Sequence, residues 1–219
     1  GGTTGSNCLD CHTQPTGPEA CNTCHGVFAN SSRIAPPTDL LGNVSTSEKG
    51  VGAHAVHLYD AMIASNVSCF ECHPSNPPGD DKFVFNHING IPAEMEFGSF
   101  SAGAVSTPVY DFGSLTCANT YCHGNFSFEK AASQNQFAYT EDFMTGNNYT
   151  PIWNKVDDTQ AACGTCHGQY DNDNNLISLA PVGHITVQTC NGCHGQVVDA
   201  NNNIIDPTRH INKQIDFGN

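Results

Sequence analysis

Basic residues are scarce in this sequence. Seven lysines and arginines stand against 21 aspartates and glutamates, and the formal net charge is −14 at pH 7. Proteins that bind nucleic acid depend on cationic contacts with phosphates, so this balance argues against that class of partner. A strongly acidic surface instead favours solubility and the approach of basic or mineral-associated partners.

Long apolar runs are also missing, and the means to build an ordinary hydrophobic core are limited. No stretch of 18 apolar residues occurs, so no transmembrane helix is predicted. Hydrophobic residues make up 38% of the 219 residues, while 21 residues are glycine and 12 are proline. Such a chain buries too little apolar surface to offset its ordering entropy. We therefore expect a group other than side chains to supply the core.

Cysteine and histidine, by contrast, are abundant and ordered. The chain has 12 cysteines and 11 histidines, and every cysteine belongs to a close pair whose second member is followed directly by histidine. Five pairs have two intervening residues, whereas the pair in CANTYCHG (117–124) has four. The six sets are Cys8, Cys11 and His12; Cys21, Cys24 and His25; Cys69, Cys72 and His73; Cys117, Cys122 and His123; Cys163, Cys166 and His167; and Cys190, Cys193 and His194.

Three chemistries compete for these pairs. Disulfides would use every cysteine but need no histidine, and zinc ribbons leave the histidine after each second cysteine unexplained. Covalent c-type haem explains both, because two thiols bond to the porphyrin and the next histidine reaches the iron. The longer loop of CANTYCHG keeps that histidine in place. The sequence therefore predicts six covalently bound haem c groups, which together form the core.

Five histidines remain to serve as distal iron ligands, which is one fewer than six haems require. They are His54, His57, His87, His184 and His210. Exchange of a histidine between copies of the chain does not change this total, because each copy lends one and borrows one. One haem is therefore expected to carry another sixth ligand or none. The candidates are Met62, Met95, Met144, the amine of Gly1, a water molecule and a vacant position.

An internal repeat organises much of the chain. VGAHAVH, CFECH and NHINGIPAEMEF in 51–97 correspond to PVGHI, CNGCH and RHINKQIDF in 181–217. Each copy has an upstream histidine, a haem motif, and His-Ile-Asn leading to an acidic-aromatic end. We predict an N-terminal segment with the first haem motif (1–20), a first multihaem module (21–124), a haem-free aromatic linker (125–162) and a second module (163–219), within one compact domain.

The predicted fold is mostly irregular, with a few short α-helices and minimal β-structure wrapped around a stack of six haems. Residues 53–65 are the best helix, with His54 and His57 on one face. Short helical turns are expected at each motif, strands at 94–97 and within 105–112, and turns at 171–176 and 199–203.

Features of an exported protein are also present. The numbering begins at Gly1 without a leader, and we expect it to be that of a processed, exported chain. Five Asn-x-Ser/Thr triplets are compatible with a glycosylated surface. They begin at Asn30, Asn43, Asn66, Asn125 and Asn148.

The motif set resembles a known family. CANTYCHG, preceded by His-Ile-Asn-Gly and accompanied by CxxCHG motifs, resembles the CxxxxCH/CxxCH multihaem c-type cytochromes of dissimilatory metal-reducing bacteria, over about 21–217. The resemblance implies haems held through the cysteine pairs, proximal ligation by the following histidine and mainly histidine distal ligands. It also implies an exported, often extracellular electron carrier.

The chain is also similar to extracellular cytochrome filaments, or nanowires. That similarity implies little secondary structure, close-packed haems, an acidic and often glycosylated surface, and a distal histidine contributed by the next subunit. This chain departs from uniform bis-histidine ligation because it has 11 histidines rather than 12.

The expected function is long-range electron transfer, as a polymerising extracellular or cell-surface conduit. Expected partners are copies of itself, other cytochromes and external acceptors such as metal oxides. The alternatives are a monomeric periplasmic or surface shuttle, and a reductase that uses the haem without a distal histidine. No lysine replaces a proximal histidine and no basic cluster awaits an anion, so we expect an electron carrier rather than an enzyme.

Overall fold

The computed structural model describes residues 22, 26–27, 30, 32–33, 38–39, 41–74, 92–103, 105–187 and 189–218. Four of the six cysteine–histidine motifs fall within these residues. The other two motifs lie outside them, and their predicted haem-binding residues are Cys8, Cys11, His12, Cys21, Cys24 and His25. The predicted distal ligand His87 and the candidate ligand Gly1 also lie outside the described residues. The roles assigned to all of these residues stay predictions.

Regular secondary structure is short throughout the described residues, which agrees with the predicted mostly irregular fold. There are two α-helices, α1 (His54–Leu58) and α2 (Asn191–His194). Short 3₁₀ helices cover Cys69–Glu71, Tyr121–His123, Lys130–Ala132, Gln136–Ala138 and Thr159–Ala161. The strands are β1 (Val109–Asp111), β2 (Thr116–Ala118), β3 (Ser127–Glu129), β4 (Phe143–Thr145), β5 (Gln169–Tyr170) and β6 (Leu176–Ser178).

The strands form three separate antiparallel pairs rather than one sheet. β1 pairs with β2, β3 with β4, and β5 with β6. Tyr110 lies opposite Cys117 in the first pair, and Phe128 lies opposite Met144 in the second. Two-stranded ribbons have little stability of their own. These three pairs therefore depend on contacts with neighbouring segments, and the first pair contains Cys117 of a predicted haem motif.

The chain divides into two compact units. The first comprises Gly1–Ala61 together with Trp153–Asp157, and the second comprises Met62–Ile152 with Asp158–Asn219. These limits differ from those of the modules inferred from the repeat, which concern sequence equivalence and stay a prediction.

The predicted helix at 53–65 is mostly wrong, because α1 ends at Leu58. No side chain caps its N-terminus, and the Asp60 amide bonds to the Ala55 carbonyl, five residues back, instead of continuing the helical ladder. The Ile63 carbonyl, which a longer helix would keep within the ladder, accepts a hydrogen bond from His210.

The predicted strand at 94–97 is also absent, while that in 105–112 is confined to β1. Residues 93–98 have no regular secondary structure and pair with no strand of the described chain, and several of their backbone groups bond to the motif at 69–73. The Glu94 carbonyl accepts from His73, and the Glu96 amide donates to the Cys72 carbonyl at 3.1 Å.

The predicted turns at 171–176 and 199–203 are confirmed, except that Leu176 begins β6. In each turn an aspartate Oδ1 accepts from the backbone amides two and four residues ahead, and the later asparagine donates to the same carboxylate. The asparagine bond lowers the pKa of Asp171 and of Asp199. Asp39 makes the same set of bonds to Leu41 and Asn43.

The hydrophobic core of the described residues is small. Its cluster consists of Ala138, Tyr139 and Met144, with Phe128 packed against it. Met144 is 4% exposed there, and Met62 is 82% exposed. Residues 125–162 thus contain this cluster together with β3 and β4. No helix among the described residues is long and apolar enough to cross a membrane.

One of the five Asn-x-Ser/Thr triplets begins at a buried asparagine. Asn125 is 2% exposed, and its Nδ2 donates to the Asn119 carbonyl at 2.8 Å and to two oxygens of Ser106 at 3.1 Å. The side chain is a structural bridge between two loops, so a glycan cannot be attached to it in the folded chain.

Gly124, which follows the CANTYCH motif, provides a test of the packing between motifs. It has φ +95°, and a Cβ there would lie 2.1 Å from the Cys166 carbonyl oxygen. We expect Gly124→Ala to lower the free energy of unfolding by about 2 kcal/mol or more, since strained φ and a backbone clash add together. Denaturant unfolding of the haem-loaded protein measures this.

Gly192→Ala is the matched control. Gly192 lies within another haem motif, but a Cβ there meets no heavy atom within 4 Å. Equal stability losses in the two variants would contradict the close approach of Gly124 to Cys166.

Candidate haem-attachment site

The four described motifs share a local design in which the second cysteine and its histidine lie in or beside a tight turn. Cys69–Glu71 and Tyr121–His123 are 3₁₀ helices, and Asn191–His194 is α-helical. Residues 163–167 form non-helical turns and bends, so the predicted helical turn is absent at this motif. In two of these motifs the turn brings the amide of the histidine back to the carbonyl of the first cysteine. The His73 amide donates to the Cys69 carbonyl at 3.0 Å and that of His194 to the Cys190 carbonyl at 2.9 Å.

The motif thiols are unbridged, and several are buried. All of the described cysteines are free thiols, namely Cys69, Cys72, Cys117, Cys122, Cys163, Cys166, Cys190 and Cys193. Burial raises the pKa of Cys72 to about 12 and that of Cys117, Cys122 and Cys166 to about 11. Redox-active Cys-x-x-Cys pairs require a lowered thiol pKa. These buried thiols are therefore not prepared for disulfide exchange.

The last motif is tied to the C-terminal segment through its second cysteine. The Cys193 amide donates to the Cys190 carbonyl at 3.1 Å, which closes the turn between the two thiols. The Cys193 carbonyl accepts from the Gly218 amide at 2.8 Å. This cysteine therefore lies where the sequence places a haem attachment point, in the turn that also carries His194.

The histidine rings are oriented by one recurring hydrogen bond. Seven of the eight described histidines place Nδ1 within 2.5–2.8 Å of a backbone carbonyl oxygen. The acceptors are Val51 for His54, Ala53 for His57, Glu94 for His73, Leu179 for His167, Ile185 for His184, Asp216 for His194 and Ile63 for His210.

This bond fixes the tautomer of each ring. A carbonyl oxygen can only accept, so Nδ1 carries the proton and Nε2 keeps the lone pair that binds a metal. Burial also lowers the pKa of His57, His167 and His210, which favours the neutral imidazole that metals require.

Two pairs of these histidines have ring centres at a separation that suits two imidazoles on one metal ion. A metal–imidazole bond is about 2 Å long and the ring nitrogen lies about 1 Å from the ring centre, so two imidazoles on opposite sides of one metal ion have centres about 6 Å apart. The centres of His167 and His210 are 6.0 Å apart, and those of His184 and His194 are 6.4 Å apart.

The structure thereby brings each predicted proximal histidine of the second predicted module close to a predicted distal one. His167 lies beside His210, which is downstream, whereas His194 lies beside His184, which is upstream. Sequence reasoning supplied all four residues but did not pair them. The available signal was that His184 and His210 are the two histidines of 163–219 outside its motifs.

Hydrogen bonds donated by backbone amides connect three motifs in succession. The Glu71 carboxylate accepts from the Ser101 amide at 2.9 Å, and the Ser101 carbonyl accepts from the Tyr121 amide at 2.9 Å. Farther on, the Tyr149 amide donates to the His123 carbonyl, and the Asn147 amide donates to the Cys166 carbonyl. The motifs at 69–73, 117–123 and 163–167 are therefore held side by side.

The long loop of CANTYCHG also anchors the C-terminal segment. Tyr121 is buried, and its hydroxyl accepts from the Lys213 amide at 2.7 Å. The Lys213 ammonium lies 5.3 Å from the centre of the Tyr121 ring and donates to the Ser99 carbonyl at 2.6 Å. Lys213 is three residues beyond His210, so this loop helps to position a predicted distal ligand that lies beside a neighbouring motif. Sequence reasoning missed both residues.

The segment predicted as a haem-free linker supports His184. The Ile185 amide donates to the Ala138 carbonyl at 2.9 Å, and Tyr139 pairs with His184 in an isolated β-bridge. The ring of Phe137 also lies 5.8 Å from that of Phe217, which is 6.1 Å from the His194 ring.

The surface fits a large apolar cofactor. Nineteen large hydrophobic residues are exposed in the described chain, including Phe112, Phe137, Phe143 and Phe217. An apolar groove of about 420 Å³ runs between residues 92–97 and β1, with Met95, Phe97 and Tyr110 among its lining. Glu94, whose carbonyl holds His73, and Tyr110, opposite Cys117, both line this groove. Porphyrins attached at 69–73 and 117–123 would cover such surfaces.

Comparison with known families agrees with this site. Residues 116–167 match the family model described as the Geobacter CxxxxCH...CXXCH motif. The match includes the CANTYCH and CGTCH motifs and their connecting segment. It supports a multihaem c-type cytochrome family and indicates covalently bound c-type haem. Neither the curated proteins nor the solved structures contain a match to this chain.

The proposed histidine pairs can be tested by removing one distal member of each. In the haem-loaded protein, we expect His210→Ala and His184→Ala each to add one haem that binds carbon monoxide in the ferrous state, and the double variant to add two. Titration followed by visible absorption measures the stoichiometry. Gln214→Ala, an exposed residue near His210, is the control. Unchanged carbon monoxide binding in His210→Ala would contradict the pairing with His167.

The role of the long loop can be tested at Tyr121. We expect Tyr121→Phe to lower the free energy of unfolding by about 1 kcal/mol, because the Lys213 amide loses its acceptor. The control is Tyr149→Phe, whose hydroxyl has no hydrogen bond within the described residues. Denaturant unfolding of both variants separates them, and equal losses would contradict a specific anchor.

Proposed function

We propose that this protein is a hexahaem c-type cytochrome that carries electrons over long distances, as a subunit of a polymeric extracellular conduit. The observation that carries the proposal is the pairing of His167 with His210 and of His184 with His194, with every Nδ1 held by a carbonyl. Two imidazoles on one iron would suit electron transfer, because they would leave no open position on the metal for a substrate.

Each part of the chain has a defined task under this proposal. The cysteine pairs would hold the porphyrins, and the histidines would bind iron through Nε2. Haem iron, when bound, alternates between ferric and ferrous states and so supplies the one-electron chemistry. The irregular backbone provides carbonyl acceptors for the rings and keeps neighbouring motifs in hydrogen-bonded contact.

The distance between motifs supports transfer along a chain of haems. Three motifs are tied to one another by hydrogen bonds through Ser101, Tyr149 and Asn147, and a Cβ at Gly124 would lie 2.1 Å from the Cys166 carbonyl oxygen. Haems attached at such neighbouring sites would be close enough for electrons to pass between them. The charge of −14 suits an exported protein that meets basic or mineral partners.

Polymerisation and an extracellular location are motivated by the predicted haem density, the acidic composition and the similarity to cytochrome filaments. Electron microscopy of native material, purified from the source cells and their medium, is the direct test. We expect filaments in which haems continue across subunit boundaries. Monomers at all concentrations would support a shuttle cytochrome and exclude the conduit.

The haem count is tested separately. Mass spectrometry of the denatured chain is expected to show six covalently attached haems, and Cys117→Ala with Cys122→Ala to show five. The same change at Cys69 and Cys72 is the comparison for an ordinary two-residue loop. Five haems in the unaltered chain, with none on the 117–123 peptide, would show that the four-residue loop does not attach haem.

A further inference from the structure

Trp153, the sole tryptophan of the chain, packs against both histidines of α1. Its ring centre lies 4.7 Å from that of His54, with the planes at 89°, and 6.0 Å from that of His57, with the planes at 21°. One face of the indole is thus nearly parallel to one imidazole while the other imidazole meets it edge-on. Sequence reasoning placed Trp153 only in a generally aromatic region.

The indole itself is firmly held. Its Nε1–H donates to the Lys49 carbonyl at 2.8 Å. Gly52 makes room for it, because a Cβ at that position would lie 2.0 Å from the indole Nε1, and the φ of +45° there disfavours other residues. The neighbouring Asn154 bonds separately, with Nδ2 donating to the Ser47 carbonyl at 2.7 Å.

The indole can limit the tilt of the two imidazoles. Each Nδ1 is held by a carbonyl within α1 or its preceding turn, at 2.8 Å in both cases. One hydrogen bond fixes the position of the nitrogen, but the ring can still tilt about that contact. Packing against a rigid aromatic surface restricts the tilt and therefore the direction in which Nε2 points.

We propose that Trp153 is a positioning residue for two axial ligands, and holds the His54 and His57 imidazoles at the angles that two different haem irons require. The inference rests on the proposed haem attachment. It assigns a role to residues 153–157, which belong to the first compact unit although they are far in sequence from its other residues, 1–61. Trp153 acts through the two histidines and is not itself a ligand.

The test compares exogenous ligand binding in haem-loaded variants. We expect Trp153→Ala to increase the number of ferrous haems that bind carbon monoxide by up to two per chain, and to shift the reduction potentials of those haems. Trp153→Phe keeps an aromatic face but loses the bond to Lys49, so a smaller increase is expected. Gly52→Ala displaces the indole without deleting it, and is expected to resemble Trp153→Ala.

Asn154→Ala is the matched control, because it removes the adjacent anchor while leaving the indole against both histidines. We expect it to keep the carbon monoxide stoichiometry and potentials of the unaltered protein. Unchanged binding in Trp153→Ala or Gly52→Ala, at full haem content, would overturn the inference. So would an equal increase in Asn154→Ala, since that would indicate general anchoring of the segment.

Two further outcomes can be distinguished from these. If Trp153→Ala fails to fold, the comparison of Trp153→Phe and Gly52→Ala with Asn154→Ala decides the matter on the same criteria. If the unaltered protein carries no covalent haem, the proposed function itself has failed, and this is visible in its absorption spectrum before any variant is made.

Discussion

A hydrogen bond from imidazole Nδ1 to a main-chain carbonyl is the interaction on which the rest of this structure depends. It requires a carbonyl oxygen with a lone pair available at one side of each ring. Extended and turn segments meet that requirement more readily than long helices. The Glu94, Leu179 and Asp216 carbonyls all come from irregular segments that run beside a motif. The irregular segments of the chain therefore supply carbonyls that orient these three histidine rings.

The chemistry of the site was predictable from sequence because covalent attachment leaves a local signature. Two cysteines and the next histidine are neighbours in the chain, and spacing alone indicates their joint use. The pairing of His167 with His210 could not be predicted in this way, since it depends on a fold that brings together residues far apart in sequence. The same holds for Trp153, whose contacts with His54 and His57 cross a long stretch of chain. Local composition identifies it only as aromatic.

The incorrect helix prediction has a related cause. Residues 53–65 have the hydrophobic periodicity of a helix. This periodicity does not show which backbone groups form hydrogen bonds with distant residues. Ile63 holds His210 through its carbonyl, and α1 ends at Leu58. The four-residue loop between Cys117 and Cys122 shows the opposite situation. Its spacing looked like a variation of the haem motif, yet Tyr121 uses the added length to receive the backbone of Lys213.

The contact between His210 and Ile63 also bears on how the protein is made. The two residues are 147 positions apart. During synthesis the His210 ring therefore appears long after the carbonyl that orients it, and long after the cysteine pair at 163–167 whose histidine it meets. The Asp216 carbonyl, which orients His194, is made later still. A chain interrupted between residues 167 and 210 would keep the cysteine motif at 163–167 but lack the opposing histidine, so this site would stay incomplete.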